Sequence, residues 1–123
     1  MSAFNVTVVA VNPKDESKTT TPVSALVDTG SELTWLPQNL LIDTGIVPRR
    51  KIGFVTATGE RVERQVGYAI IRAEGFETID DVVFAEKGDM TLLGVRTIEG
   101  FCVTVDNIAH KLLGRASLAC PAL

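Results

Sequence analysis

The tripeptide Asp-Thr-Gly occurs twice, at residues 28–30 and 43–45, fifteen positions apart. A carboxylate on a tight turn can be held in one orientation by nearby backbone amides. Two carboxylates at one site can share a proton and divide the work of general base and general acid. Other chemistries find less material. His110 is the only histidine, and the sequence places no serine or cysteine beside it, so a surface strand is its expected place. Cys102 and Cys120 are too few for a zinc site or a disulfide scaffold and read as two unpaired thiols. No metal and no cofactor is expected. What must be decided is whether one chain can bring both aspartates to a single site.

The elements around the two copies differ. Pro37 stands where helices begin, Gln38 to Ile42 continue in helical style, and Gly45 stands where helices stop, with apolar Ile46 and then Pro48 behind it. Asp43 and Thr44 therefore read as last-turn residues of a short surface helix. Ahead of the first copy, residues 23–27 form an apolar strand, and Asp28 sits where that strand meets a turn made possible by Gly30. After Ser31 an extended pattern resumes over residues 33–36 and stops at Pro37.

The rest of the chain is rich in β pattern. Residues 4–11 alternate as a strand, residues 12–22 form a polar loop, and residues 49–73 hold two β-prone arms around Ala57-Thr58-Gly59-Glu60. A break at Glu74-Gly75 leads to a strand over 76–86. The apolar run Met90 to Leu93 then meets Gly94, with a turn or two of helix over 95–101 and β pattern again over 102–113, turning near Asp106-Asn107. Many short strands and one or two small helices imply a mainly β, partly open barrel or sandwich. With 123 residues, 46% of them hydrophobic, a single domain spanning 1–123 is expected. A net charge of −3 with scattered basic residues argues against nucleic acid and anionic membrane surfaces. The opening residues lack a signal-peptide pattern, and no apolar run reaches the roughly 20 residues of a membrane helix, so a cytoplasmic setting is expected.

Residues 26–37, with their apolar pair, Asp28-Thr29-Gly30-Ser31, Trp35 and Pro37, resemble the active-site segment of aspartic peptidases. Leu92-Leu93-Gly94 resembles the family's second element, an apolar pair and glycine that threads beneath the catalytic loop. The hairpin at about 52–72 takes the place of the flap, with Thr56, Ala57, Thr58, Gly59 and Glu60 at its tip. Pepsin-like enzymes carry two such lobes in one chain, whereas this chain has room for one. The resemblance is therefore to the single-domain, retropepsin-like branch, of bacterial type, with one lobe per chain of a partly open acid-protease barrel.

That resemblance implies an aspartic endopeptidase active as a homodimer, with one Asp28 from each chain activating a water. It implies a peptide or protein substrate bound extended beneath the flap. Thr29 would reach across the dimer axis, Gly30 would admit substrate backbone, and Ser31 would hydrogen-bond the carboxylate. Interface strands would come from residues 4–11 and 102–113. The sequence departs from the pattern at the flap tip, which lacks the pepsin-like tyrosine; Tyr68 lies too far along the arm and reads as core. Trp35 fits either a pocket wall or the core. Glu32 and Arg96 fit either an interface ion pair or two exposed charges. The alternative function is a non-catalytic dimerisation or peptide-binding domain of the same fold. An aspartyl phosphotransferase is set aside because Gly30 occupies the position of its second aspartate.

Overall fold

The computed structural model describes residues 3–115. The alternation at the start of the chain becomes β1 (Asn5–Val11), which buries Val6, Val8 and Ala10 and turns Asn5 and Thr7 outward. The polar loop that follows returns the chain antiparallel as β2 (Val23–Asp28), with Val6 opposite Ala25. Next come β3 (Thr34–Pro37) and α1 (Gln38–Asp43). Pro37 ends the strand and opens the helix, where its missing N–H costs no helical bond.

β4 (Arg50–Val55) and β5 (Arg61–Ala73) form the expected hairpin. β6 (Phe76–Ala85) follows through Glu74 and Gly75, whose φ values of 54° and 84° are those a two-residue strand-matching turn demands. β7 (Leu92–Gly94), α2 (Val95–Gly100) and the hairpin of β8 (Val103–Asp106) with β9 (Lys111–Gly114) complete the described chain.

Of the described residues, 51% are strand and 11% helix. Seven strands share one mixed sheet in the order β1-β2-β7-β3-β6-β5-β4, and a further β1–β5 pairing brings the sheet nearly into a ring. Inside it lies one core containing Val8, Leu36, Ile71, Phe84 and Leu93, all at most 1% exposed. Phe101, which caps α2, and Leu112 of β9 join this core, so the β8–β9 hairpin is anchored to it. β6 is buried without a break from Asp80 to Ala85, which marks it as a central strand covered on both faces.

β1 has β2 beside its first half and β5 beside its second. Three expectations change. Tyr68 is about half exposed rather than core, because strand alternation turns it outward, where the Arg49 guanidinium lies 5.0 Å from its ring centroid. His110 lies in the β8–β9 turn, stacked on Phe4, rather than in a strand. Cys102 is disulfide-bonded, a state that two cysteines do not announce by spacing. Cys120 lies outside the described residues, and the inference from free thiols to a reducing compartment loses its premise. No helix among the described residues is long and apolar enough to cross a membrane.

Candidate active site

Asp28 is the last residue of β2, paired in parallel with Gly94 of β7. The turn beyond it is closed by the Ser31 N–H, which donates to the Asp28 carbonyl at 3.1 Å. The Gly30 N–H donates to Asp28 Oδ1 at 2.9 Å, which aims the carboxylate. The chain then crosses over β7 and enters β3 on its other side, where Trp35 faces Leu92. Loop 28–33 therefore straddles β7. The Val95 and Arg96 N–H groups fasten the crossing by donating to the carbonyls of Ser31 and Glu32, at 2.8 and 3.1 Å. Leu92 and Leu93 pair with Leu26 and Val27, and Gly94 is glycine because a Cβ there would collide with the Leu33 carbonyl group.

The β4–β5 hairpin projects over this loop. β5 pairs with β6 only from Val66 onward, so the backbone of residues 61–65 has β4 as its strand partner. Its tip is a tight turn from Thr56 to Gly59 (φ 85°), closed by the Gly59 N–H to the Thr56 carbonyl at 2.9 Å, with Thr56 and Glu60 bonded behind it. This is a three-residue hairpin loop with glycine in the left-handed position. Cross-strand neighbours share a face, so Phe54 with Val62 and Ile52 with Arg64 look the same way. Ile52 and Phe54 pack with Trp35 on a small cluster of Leu33, Val66 and Val83. Trp35 and Phe54 meet as tilted rings at 4.9 Å. Trp35 thus serves both uses left open by its sequence, seating the hairpin while lining the space beneath it.

That space is a cleft of about 890 Å³. Asp28, Gly30 and Ser31 line it from the loop, Phe54 and Ala57 from the hairpin, and Met90 from the segment before β7. Two ionic assemblies flank it. Arg64 grips Asp89 with two bonds, Nε to Oδ2 at 2.7 Å and Nη2 to Oδ1 at 2.9 Å, tying the hairpin to the turn after β6. The Arg64 guanidinium, then the backbone N–H of Glu86, hold the Asp89 carboxyl below the usual carboxylate range. Asp89 in turn raises Arg64. In the second assembly Arg50 and Arg96 converge on Asp81 Oδ2, at 2.8 and 3.5 Å, and Arg96 lies 3.4 Å from Asp80 Oδ1. Arg96 is therefore paired within its own chain.

The residues singled out in the sequence divide clearly. Asp28, Thr29, Gly30, Ser31 and Leu92 to Gly94 come together at one crossing, with the tip residues Thr56 and Ala57 across the cleft. Thr29 is exposed. Ser31 departs from its expected role: its hydroxyl donates to the Leu33 carbonyl at 2.7 Å, because the bend of the loop brings that oxygen to it, and its single proton is not aimed at Asp28. Asp43 is exposed on the last turn of α1. Sequence reasoning missed the partners Asp80, Asp81 and Asp89 and the buried hydroxyls of Thr34 and Thr97. One signal was available, since two adjacent acids leading into Val-Val-Phe-Ala mark a strand that buries charge. Among the described residues no cluster of histidine, cysteine or acidic side chains could hold a metal ion. A scan against models of known protein families matches none, and a comparison with curated proteins finds no match.

Proposed function

We propose that the protein is an aspartic endopeptidase that works as a homodimer, each chain supplying one Asp28. The observation that carries this reading is the Asp28 carboxylate, oriented by the Gly30 N–H on a loop locked around β7 and lining a cleft under a projecting hairpin. One such carboxylate is half of an acid–base pair. Asp43 is not among the residues that line this cleft and is exposed at the end of α1, which favours a second chain as the source of the other half.

In the dimer the two Asp28 carboxylates would lie close enough to share one proton. The charged member takes a proton from a water held between them, and the protonated member hydrogen-bonds the scissile carbonyl oxygen. The water oxygen bonds to the carbonyl carbon as the protonated member passes its proton to the carbonyl oxygen, giving a gem-diol. Breakdown delivers a proton to the leaving nitrogen and restores the shared-proton pair. The substrate lies extended between loop and hairpin, its alternate side chains meeting Trp35, Ile52 and Phe54.

The test is concentration. Specific activity on a mixed peptide library should fall as the chain is diluted through its monomer–dimer transition. Excess Asp28→Asn chains should poison the wild type by forming mixed dimers. Activity that stays flat through the transition would reject the shared site.

A further inference from the structure

Beneath the crossing lies a row of buried hydroxyls to which no role has been given above. The Gly94 N–H donates to Thr34 Oγ1 at 2.9 Å, Thr34 Oγ1 and Thr97 Oγ1 are 2.6 Å apart, and Thr97 Oγ1 donates to Asp80 Oδ2 at 2.9 Å. Thr34 and Thr97 are fully buried, and Asp80 is 9% exposed. A hydroxyl has one proton to give. The Thr97 proton is committed to the carboxylate, so the proton between the two threonines must come from Thr34. Thr34 can then only accept from Gly94. The row has one direction throughout, from the Gly94 amide through two hydroxyls to a carboxylate.

Asp80 is held at the far end from other sides. Its Oδ1 accepts the Asp81 N–H at 2.8 Å and faces Arg96 at 3.4 Å. The row joins β7, β3, α2 and β6, the four elements that meet under loop 28–33. Its first donor belongs to the residue paired with Asp28, where the Leu33 carbonyl group of the loop lies directly against backbone.

We propose that Thr34, Thr97 and Asp80 are positioning residues that fix Gly94, and through it the turn that orients Asp28. The activity part of this rests on the endopeptidase reading; the positioning part does not. Thr97→Val keeps the shape but removes the only hydroxyl that can link Thr34 to Asp80, whereas Thr97→Ser keeps the link. Asp80→Asn disturbs the row differently: its amide oxygen can stand at only one of the two carboxylate positions, so either the Asp81 N–H faces the NH₂ or the Thr97 hydroxyl must turn to accept from it, reversing the direction of the row.

The experiment uses the full chain labelled with ¹⁵N, with amide exchange followed at Gly94, at Gly30 (the donor to Asp28) and at Ile71 in the core, beside cleavage of the peptide library. For Thr97→Val, exchange at Gly94 and Gly30 should rise about tenfold relative to Ile71, and kcat should fall about tenfold with KM within about twofold. Thr97→Ser should restore both. If Thr97→Val does not fold, Asp80→Asn carries the same expectations. Exchange that rises equally at Ile71 would reduce the row to ordinary core stability and overturn the proposal, as would Thr97→Ser behaving like valine. Local exchange that responds in a chain with no cleavage at all would sustain the positioning role and count against the endopeptidase.

Discussion

The two Asp-Thr-Gly copies are the same three residues in two different physical settings. In the first, Asp28 ends a strand that has a parallel partner, and the residues after it are pinned to Val95 and Arg96, just past the end of that partner. In the second, Asp43 ends a six-residue helix. There the Gly45 N–H returns to the Ile42 carbonyl and the Ile46 N–H to Leu41, the paired bonds of a Schellman cap with Gly45 at φ 79°. Thr29 is exposed while Thr44 is buried, its hydroxyl spent on the Leu40 carbonyl. The tripeptide supplies a turn with a carboxylate. The strand or helix before it, and the partner strand beside it, decide whether that carboxylate faces a cleft.

The sharpest break of this comparison is to remove each charge in turn. Asp28→Asn should lower peptide cleavage by about 10³-fold or more, the loss expected when a general base is removed. Asp43→Asn should stay within about twofold, as for an exposed residue without a special contact. Circular dichroism and gel filtration should be unchanged for both. Equal losses would mean that the second copy also faces the site, which would sink the distinction between strand end and helix end.

The glycines sharpen the same contrast in stability. Gly94→Ala puts a methyl against the Leu33 carbonyl group and 3.0 Å from the Glu32 carbonyl oxygen, both backbone that cannot step aside without opening the crossing. We expect a loss of about 3 kcal/mol or more, at the upper end for overpacking. Gly45→Ala should cost only about 1–2 kcal/mol, the penalty of a left-handed alanine, plus whatever Asn12 Nδ2 concedes at 3.0 Å. Urea midpoints compare the two directly. A Gly94→Ala protein as stable as Gly45→Ala would show that the crossing is looser than its hydrogen bonds imply.

The Arg64–Asp89 grip tests the hairpin side of the site. Asp89→Asn should cost about 1.5–3 kcal/mol near neutral pH, the range for a charge-assisted hydrogen bond. The sign of its pH dependence follows from the lowered carboxyl. A carboxylate depressed in the folded state gives stability that is fully present above its unfolded value, near 3.8, and lost as pH falls through the lower folded value. The urea midpoints of parent and Asp89→Asn should therefore differ at pH 6 and draw together as the pH falls below about 3.8. A difference that persisted unchanged at low pH would assign the loss to packing rather than to the ion pair.

What was legible in the sequence was whatever local chemistry decides. The alternation of residues 5–11 gave β1, Pro37 and Gly45 bracketed α1, and Glu74-Gly75 and Thr56 to Gly59 marked turns whose backbone angles only a few residues tolerate. The crossing was legible only as a spacing of motifs, since nothing local in Leu-Leu-Gly says which strands it will lie between. The ionic assemblies were not legible. Arg64 and Asp89 are 25 residues apart, and Arg50 and Asp81 are 31, so their meeting depends on the register of β4 and β5 against β6. Tyr68 misled because alternation fixes which neighbours share a face but not which face is wet.

The smallest expected effect falls on the residue just after the first copy. A serine there suggests a hydroxyl donated to the neighbouring carboxylate, which would favour the charged form and move any pH profile to lower values, so that its removal should move the profile up. The loop spends that proton elsewhere: Ser31 Oγ donates to the Leu33 carbonyl at 2.7 Å, bracing the bend that carries the chain over β7. Ser31→Ala should then cost about 0.5–1 kcal/mol of stability, one hydrogen bond's net contribution, and leave the pH dependence of cleavage where it was. The residue after the second copy, Ile46, makes the comparison complete, since it too serves its turn, through a buried side chain and a backbone N–H. Cleavage rates for the parent and Ser31→Ala across one set of buffers decide the point. Limbs that shift together to higher pH would show that the hydroxyl turns to Asp28 once two chains meet. Coincident curves with a lower urea midpoint would leave Ser31 as a brace for the loop, with the Gly30 N–H as the donor that orients the carboxylate.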